Sequence, residues 1–544
     1  MPIGTHSAAA RVIAATLLVT LAFGVSNAQQ SNRYLIIHID AISYETYERA
    51  LAEGKLPTFE RIFDDGVTRR ALTLFPGSTP VIYSRLRTGE ANDAGVALGI
   101  GGWFDRERDQ VYAELLVRRD LVFSAPRRAQ TGFAYGWVAF TLAELSVMNL
   151  PDLLERYRVV EFFWFATDTI GHLEGIDAQI TWLSRLDAAI GRVLPRLDLD
   201  DLNLIIYSDH GMSAVDQSVV VSQVIDDALG GHVTFASYPN IYLRDTSQTA
   251  EAARRLGEGA VLDFVVYRVD ERTVKGYLYG GFFEIIEHDG AYAYTSRDDP
   301  FGYAAVGYDG SPLDADEWLA LTIEHPYPGA IPNLFRYAQH PNAGELVFGL
   351  NPPRFPAGFP PYQAHHYGIR DTDLLVPVWV RGPDLEHLMT DDPLWLHELV
   401  QGIDPAWLEP ILTREEHRIG VSFDPGIPDV QLHAQYSPAY RWRIDAAAST
   451  SGRISGGVDY DVFSDYLFRL WLGADLTLEH GAVTPALRAA FDIDLGRARI
   501  TPTLRADVHR LEMGIGAEFA FDVADGRVYL TVPGRGRWGV AAAW

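Results

Sequence analysis

Residue types that ligate metals stand at the ends of four apolar segments of this sequence. They are Asp40 after YLIIHI, Asp168 and His172 after EFFWFAT, Asp209 and His210 after LNLIIYS, and His365 and His366 before LLVPVWV. In an open α/β sheet the carboxyl ends of the strands form one edge, and ligands bind there. We therefore expect these side chains to converge, although they are far apart in sequence.

Three carboxylates and three imidazoles are enough to hold two divalent cations. Two cations about 4 Å apart can clamp the attacking and leaving oxygens of an in-line displacement. The mixed nitrogen and oxygen donors suit Zn²⁺ best. Asp168 and His172 are four residues apart at a predicted helix start, so they would share a face. Taken singly, an aspartate after a strand is more often a helix N-cap, and only the joint placement indicates a metal site.

The segments that would position these residues have the pattern of an α/β fold. From about residue 33 to 400, short β-branched runs alternate with amphipathic stretches, one of which is QITWLSRLDAAIGRVL at 179–194. Apolar strands separated by helices predict a mostly parallel sheet with helices on both faces. The Gly- and Pro-rich stretch 286–363 is expected to be mostly loop, broken by a strand at ELVFGL.

Composition excludes several classes of function. The chain has 544 residues, 48% of them hydrophobic, and it has no cysteine. Disulfides, thiolate nucleophiles and cysteine-ligated zinc are therefore excluded. The formal net charge is −27, which argues against a nucleic-acid duplex as a standing partner.

The first 28 residues are predicted to be an export signal peptide. Arg11 precedes the apolar run VIAATLLVTLAFGV, and Ser26 and Ala28 provide the small residues of a cleavage site. The run has about 14 residues, which is short for a bilayer-spanning helix of roughly 20. The alternative is an uncleaved anchor. Export predicts a protein of the periplasm or the outer membrane.

From about residue 425 to 544 the pattern changes to period-two alternation. In FRLWLGADLTLE at 468–479 every second residue is apolar, and similar runs recur with short turn signals such as His-Gly at 480–481. We expect about eight strands of roughly ten residues, which together form a C-terminal antiparallel β domain.

Two interpretations of this tail stay open. A soluble sandwich would turn the charged face of each strand to water. An eight-stranded outer-membrane β-barrel would turn that face into its lumen and its apolar face to lipid. The terminal Trp544 favours the barrel, whereas Pro485 and Pro502 interrupt the alternation and oppose it.

Three motifs resemble the alkaline phosphatase superfamily, and within it the type I phosphodiesterase/nucleotide pyrophosphatase family. FATDTIGHLEG is similar to the family's D-x-x-G-H motif, and IIYSDHGMS is similar to its strand followed by D-H-G-M. GSTPVIYSRLRTG is similar to the segment that carries the family's nucleophile. The resemblance spans about 34–390 and implies an alkaline-phosphatase-like metallohydrolase domain over residues 29–410.

The resemblance also implies roles for individual residues. The family's nucleophile lies nine residues before the Thr of a Thr-Gly pair, which is Thr88 here, so Thr79 is implied and Ser78 is the alternative. One zinc would be held by Asp168, His172 and His366, and the other by Asp40, Asp209, His210 and Thr79. His366 is preferred because it stands ten residues before the Val-Pro pair of LLVPVWV. His365 stays open, because the family has His-Gly where this chain has His-His-Tyr-Gly.

The implied function is an exported two-zinc phosphodiesterase or nucleotide pyrophosphatase that acts on a small phosphoester through a phospho-threonine intermediate. Two departures from the family concern asparagines that grip phosphate: Ile82 and Gly101 stand where asparagine is expected. They motivate an alternative of another class, a catalytically inactive receptor or adhesin at the outer membrane. A phosphomonoesterase is less favoured, and so is a sulfatase, because threonine replaces the usual modified cysteine or serine.

Overall fold

A computed structural model describes the chain over residues 33–63, 67–79, 82, 102–106, 108–113, 128–129, 137–156, 159–258, 262–357, 362–389, 393–400, 416–424, 429–439, 442–464, 468–494, 498–507, 511–523, 526–533 and 538–543. The predicted signal peptide at 1–28 lies outside the described residues, as do Gly101 and Trp544.

The first part of the chain, up to residue 400, contains two large sheets. Its described strands are, in chain order, β1 Arg33–Ile39, β2 Val67–Leu72, β3 Gly102–Asp105, β4 Gln110–Ala113, β5 Arg128–Ala129, β6 Val159–Trp164, β7 Leu202–Ser208, β8 Ser213–Ala214, β9 Gln217–Val219, β10 Val233–Ser237, β11 Asn240–Leu243, β12 Phe264–Asp270, β13 Thr273–Leu278, β14 Gly281–His288, β15 Ala291–Ser296, β16 Leu346–Gly349, β17 Arg354–Pro356, β18 Ala364–His365, β19 Leu375–Arg381 and β20 Leu394–Trp395.

The central sheet has seven strands in the order β20-β2-β19-β7-β1-β6-β5. β1 pairs in parallel with both β6 and β7, as the sequence pattern predicts. β19 is the exception, because it pairs antiparallel with β7 and β2. The amino end of β19 therefore lies at the edge where β1, β6 and β7 end. Residues that precede β19 meet residues that follow the other three strands.

Helices pack on this sheet. The described α-helices are α1 Tyr44–Ala52, α2 Pro57–Ile62, α3 Trp137–Met148, α4 Leu150–Arg156, α5 Ala166–Glu174, α6 Ile176–Val193, α7 Val221–Leu229, α8 Thr249–Gly257, α9 Ala315–Thr322, α10 Ala330–Ala338 and α11 Asp371–Leu374. Within the described part of the chain, no helix is long and apolar enough to cross a membrane.

Both faces of β1 are buried, because its side chains alternate between two hydrophobic clusters. Leu35 and Ile37 pack in the cluster that includes Leu183 and Leu186 of α6. The helix predicted at 179–194 is therefore confirmed, with its apolar face on the sheet. Ile36 belongs to the second cluster, on the other face, which includes residues of α9 and α10.

The second sheet was not expected from the sequence. Its order is β10-β11-β16-β12-β13-β14-β15, and every neighbouring pair is antiparallel. The stretch 286–363, predicted to be mostly loop with a strand at ELVFGL, contains that strand at 346–349 and also β15, α9 and α10, which were not predicted. Asp289 and Gly290, both with positive φ, make the turn between β14 and β15, and aromatic side chains such as Trp318 fill the core beneath.

The tail after residue 415 is a closed antiparallel barrel. Its strands are β21 Glu416–Asp424, β22 Asp429–Ala439, β23 Trp442–Ser449, β24 Ile454–Ser464, β25 Phe468–Glu479, β26 Ala482–Asp494, β27 Ala498–Asp507, β28 Leu511–Val523, β29 Gly526–Pro533 and β30 Trp538–Ala543. Each strand pairs with the next, and β30 pairs with β21 to close the sheet.

The antiparallel architecture of the tail is confirmed, but two details of the prediction need correction. The barrel has ten strands rather than about eight, and its first strand begins at Glu416, before the expected boundary at 425. The count was low because strands such as β30 are too short to show a long alternation. Pro485 and Pro502 do not interrupt the strands, since they lie in register opposite Leu476 and Ile515.

Candidate metal centre

The metal-ligand residues predicted from the sequence converge at one edge of the central sheet. Two groups of side chains each bring their ligand atoms within 4.8 Å of one another: Asp168 with His172 and His366, and Asp40 with Asp168 and His210. Asp40 follows β1 directly and Asp168 lies in the first turn of α5, after β6. The edge assembles as expected because β19 begins where the parallel strands end.

The first group is compact. The Nε2 atoms of His172 and His366 lie 3.3 Å and 3.4 Å from the same oxygen, Oδ1 of Asp168. Asp168 and His172 face the same side of α5, one turn apart, as their spacing predicts. One carboxylate oxygen and two imidazole nitrogens thus point at a common volume.

The second group adjoins the first, and the rings of His210 and His366 stack with centroids 4.0 Å apart. His210 Nε2 lies 3.5 Å from Asp40 Oδ1 and 3.5 Å from Asp209 Oδ2. Asp209 is thus beside this group without being one of its closest three members. Its Oδ1 accepts hydrogen bonds from the backbone N–H groups of Ala41 and His210.

The three histidines share an arrangement that fixes which nitrogen faces the site. The Nδ1 atoms of His172, His210 and His366 lie 2.9, 3.0 and 2.6 Å from the carbonyl oxygens of Ala364, Gly211 and Gly77. A carbonyl only accepts, so each Nδ1 carries the proton and each Nε2 presents a lone pair. This backbone support is the usual outer shell of metal-binding histidines.

His365 has a different environment. Its Nδ1 accepts a hydrogen bond from the backbone N–H of His366, and its ring packs against Tyr362 and Phe355. Burial lowers the pKa of His365 to about 3, so the ring is neutral. It belongs to neither ligand group among the described residues. The geometry therefore favours His366 over His365 as the ligand.

Thr79 lies beside the second group. Its Oγ1 is 3.2 Å from Asp40 Oδ1 and 3.3 Å from His210 Nε2. Thr79 is nearly buried, and the carbonyl of Ser78 accepts a hydrogen bond from the N–H of Ile82, which forms the first turn of a helix at this point. Of the two candidate nucleophiles, Thr79 is the one whose hydroxyl reaches the predicted ligands.

The electrostatics of the cluster suit a cation. Burial alone would raise the pKa of Asp168, but the neighbouring imidazoles of His172 and His366 hold it well below its usual value. Burial likewise opposes ionisation of Asp209, whereas His210 and His38 lower its pKa to about 2. Burial and the charge of His210 lower the pKa of His366, which keeps that ring neutral. The cluster therefore combines ionised carboxylates with a neutral imidazole.

A buried oxygen in the cluster also lacks a hydrogen-bond donor. Oδ1 of Asp168 is buried and accepts no hydrogen bond. An ionised oxygen in that state is costly unless a cation compensates it. The donors present therefore fit divalent metal ions, and a mixed carboxylate and imidazole set fits zinc.

Two supporting residues were missed in the sequence. His38, two residues before Asp40, places its Nε2 3.2 Å from Asp209 Oδ2, and the one signal for it was a polar residue inside an apolar strand. Asp373 accepts hydrogen bonds from Ser213 Oγ and from the N–H of Gly368, both 2.7 Å. These bonds tie the segment after β7 to the segment that carries His366.

Ala41, which directly follows Asp40, has a strained backbone conformation. Its φ is +64°, in the left-handed region that costs an L-residue with a side chain about 1–2 kcal/mol. Its N–H points to Asp209, and its carbonyl accepts a hydrogen bond from Gln179 Nε2 at 2.7 Å. The strained turn is thus held in place by the residues around the site.

Comparison with known proteins agrees with the motifs. The model of the type I phosphodiesterase/nucleotide pyrophosphatase family matches residues 103–280. That match includes Asp168, His172, Asp209 and His210, whereas Asp40, Thr79 and His366 lie outside it. No curated protein sequence matches the chain.

Several solved structures are similar to this chain. Murine ectonucleotide pyrophosphatase/phosphodiesterase 5 is 14% identical with a TM-score of 0.39, over 68% of this chain and 93% of that one. An inactive threonine-to-alanine variant of the same murine protein, in complex with AMP, is 14% identical with a TM-score of 0.41, over 70% and 96%. Phosphonoacetate hydrolase from Sinorhizobium meliloti 1021, in complex with phosphonoformate, is 14% identical with a TM-score of 0.37, over 68% and 94%.

The family model and the motifs at the sheet edge lead to the same assignment. Residues 103–280 are similar to the type I phosphodiesterase/nucleotide pyrophosphatase family, the same family that the motifs at the sheet edge resemble.

Proposed function

We propose that the protein is an exported two-zinc phosphodiesterase that uses Thr79 as its nucleophile. The observation that carries this proposal is the position of Thr79 Oγ1, within 3.3 Å of both Asp40 and His210 at the edge where the ligand groups converge. A diester is the favoured substrate because the family model that matches the chain is that of phosphodiesterases and nucleotide pyrophosphatases.

Asp168, His172 and His366 would hold one zinc ion, and Asp40, Asp209 and His210 would hold the other beside Thr79. Zinc bound in this way supplies a Lewis acid that lowers the pKa of a coordinated hydroxyl and stabilises negative charge on phosphoryl oxygens. Orientation of the donors is supplied by the chain itself, through the carbonyl groups that fix His172, His210 and His366.

The chain's own residues account for the two displacements. Thr79 Oγ1 loses its proton, for which Asp40 Oδ1 is the nearest carboxylate oxygen, and forms a bond to phosphorus. The bond from phosphorus to the leaving oxygen breaks, and that group departs as an alcohol or a phosphate. Water then attacks the phospho-threonine, which releases the second product as a phosphate monoester and restores the hydroxyl. The helix turn that begins at Thr79 would favour negative charge on the phosphoryl oxygens at its amino end.

Location is part of the proposal. Export rests on the signal-like segment at 1–28, and it would deliver the enzyme to the periplasm or the outer membrane. N-terminal sequencing of the mature protein from the native host tests it. A first residue at or near Gln29 is expected, and a retained segment 1–28 would contradict cleavage.

The activity is tested with three nitrophenyl esters: a phosphodiester, a phosphomonoester and a sulfate. We expect the zinc-loaded protein to hydrolyse the diester fastest, and Thr79→Ala to lower turnover by about a thousand-fold or more. Ser78→Ala is the matched control and should stay within a few-fold of wild type. Mass spectrometry after an acid quench should find on Thr79 a phosphoryl group that still carries the remaining ester substituent of the diester.

Two outcomes would contradict this assignment. Activity that survives in Thr79→Ala but not in Ser78→Ala would move the nucleophile to Ser78. A wild-type protein that binds two zinc ions yet leaves all three esters intact would favour the inactive receptor or adhesin. That alternative rests on Ile82 and Gly101, which stand where the resemblance leads one to expect asparagine.

A further inference from the structure

The polarity of the barrel is inverted relative to that of a water-soluble domain. Nineteen of the twenty-six large hydrophobic side chains that are exposed in the described residues lie on strands β21–β28. Leu476 is 57% exposed, Leu487 70% and Met513 71%. The remaining seven are scattered over the much longer part of the chain that precedes residue 400.

These apolar side chains alternate with buried polar ones along the same strands. On β25, Leu476 and Leu478 are exposed, whereas Asp475 and Thr477, which alternate with them, are 7% and 5% exposed. On β24, Val458 is exposed and Asp459 is completely buried. Successive residues of a strand face opposite sides of a sheet, so the apolar face is outside and the charged face is the lumen.

Ion pairs connect strands across the lumen. Arg488 of β26 contacts Asp459 of β24 at 2.7 Å and also pairs with Asp445 of β23, three strands away. Arg505 contacts Asp475 at 2.7 Å. Arg418 of β21 and Glu518 of β28 form a further bridge of 2.9 Å between strands that are not neighbours. The lumen is therefore filled by side chains that neutralise one another.

The outer face points to lipid rather than to a protein partner. Its apolar side chains occur on eight successive strands of a closed sheet, so they surround much of the circumference and do not form one patch. The longest strands have 11–13 residues, and about 9–11 tilted residues cross a bilayer. Closure also leaves no unpaired strand edge, which is the condition for β structure in hydrocarbon.

We propose that residues 416–543 form a membrane anchor that is embedded in a bilayer and whose lumen is closed by ion pairs, so that it holds the protein without conducting solutes. This inference goes beyond the hydrolase function and does not depend on it. The occupant of the outer face is the hydrocarbon of a lipid bilayer.

Because the chain has no native cysteine, a label can be attached at one chosen position through an introduced cysteine. The full chain is purified in detergent and reconstituted into phosphatidylcholine and phosphatidylglycerol vesicles, and a polarity-sensitive fluorophore is attached to one introduced cysteine at a time. Leu476→Cys probes the outer face of β25. His480→Cys, in the turn that follows, is the matched control, because its side chain is also exposed and lies four residues away. Val269→Cys is an exposed control on the preceding domain.

We expect the Leu476→Cys label to be quenched several-fold more by nitroxides on lipid acyl chains than by aqueous iodide. The other two labels should show the reverse order. The vesicles should keep an entrapped small dye, and voltage clamp should detect no stepwise conductance.

Three results would overturn the inference. One is a protein that does not co-float with vesicles in a density gradient and whose three labels are all quenched equally by iodide. Another is a discrete lipid-free oligomer that shields the Leu476→Cys label, which would make a second copy the occupant. Steady conductance through the reconstituted protein would refute the closed lumen.

Discussion

The imidazole Nε2 of His38 lies 3.2 Å from Oδ2 of Asp209, and both side chains are buried. The ring of His38 is held between Tyr207, on which it stacks at 4.8 Å, and Phe163. Because strand packing fixes the imidazole, it in turn fixes the direction of the Asp209 carboxylate. His38 is thus a positioning residue for a predicted metal ligand.

Replacing His38 should therefore weaken metal binding before it affects folding. We expect His38→Leu to raise the dissociation constant of the more weakly held zinc ion by about 10–100-fold, which is the usual effect of losing an outer-shell partner. Competition with a zinc chelator measures this. His38→Gln, which keeps a polar group near Asp209, should recover part of the affinity. An unchanged dissociation constant in His38→Leu would show that Asp209 needs no such support.

Asp168 should matter more than Asp40 for the metal content, because its carboxylate takes part in both ligand groups. We expect Asp168→Asn to lower the zinc bound after dialysis from two ions to fewer than one per chain, and Asp40→Asn to lower it to about one. Elemental analysis measures both. Asp177→Asn, at an exposed carboxylate of the next helix, is the control. Equal losses in the two site variants would argue against a shared ligand.

Variants of the two adjacent histidines, His365 and His366, should differ in the amount of zinc that they bind. His366→Ala removes a ring that contacts Asp168 and is predicted to lose one zinc ion, whereas His365→Gln should keep two. Cobalt-substituted protein offers a second readout, since its visible spectrum reports the number of nitrogen donors. A spectrum altered by His365→Gln and left intact by His366→Ala would reverse the assignment.

Asp373 should make stability depend on pH. Burial raises its pKa to about 7, against the hydrogen bonds from Ser213 and Gly368, whereas an unfolded aspartate has a pKa of about 3.9. The folded state therefore binds the proton more tightly. The contribution of Asp373 to the free energy of unfolding is therefore complete below about pH 4 and is lost as the pH rises to about 7. It amounts to about 4 kcal/mol for a pKa difference of about three.

Asp373→Asn stays neutral, and the Ser213 hydroxyl can turn to accept from the new amide. The free energy of unfolding of Asp373→Asn, relative to wild type, should therefore rise between pH 4 and 7 and then level off. Urea unfolding of the two zinc-loaded proteins at several pH values measures the difference. A difference that does not change with pH would show that the carboxyl titrates normally.

Residues that stand next to strong local patterns could be predicted from the sequence. Asp40 and Asp209 directly follow buried strands, and Asp168 and His172 share a helix face, so their placement depends only on strand ends and helix periodicity. Their roles as ligands, and that of Thr79 as nucleophile, stay predictions for the experiments above.

The features that the sequence did not indicate depend on contacts between residues that are far apart in the chain. The reversed direction of β19 follows from its pairing with β7 and β2, and nothing within LLVPVWV encodes it. The second sheet was missed because residues of its β16 pair with residues of β11 and β12 that lie more than 80 residues earlier in the chain. His38 and Asp373 act through partners more than 150 residues away, so no local pattern marks them.

The centre is fastened from chain segments that are made at very different times. Asp40 directly follows β1, the first described strand, and His366 lies shortly before β19, the last long strand of the same sheet. The candidate metal centre therefore cannot assemble on a growing chain until nearly the whole domain has been synthesised. Under the proposed function, the metal ions would accordingly bind late, and an exported chain would cross the membrane without them.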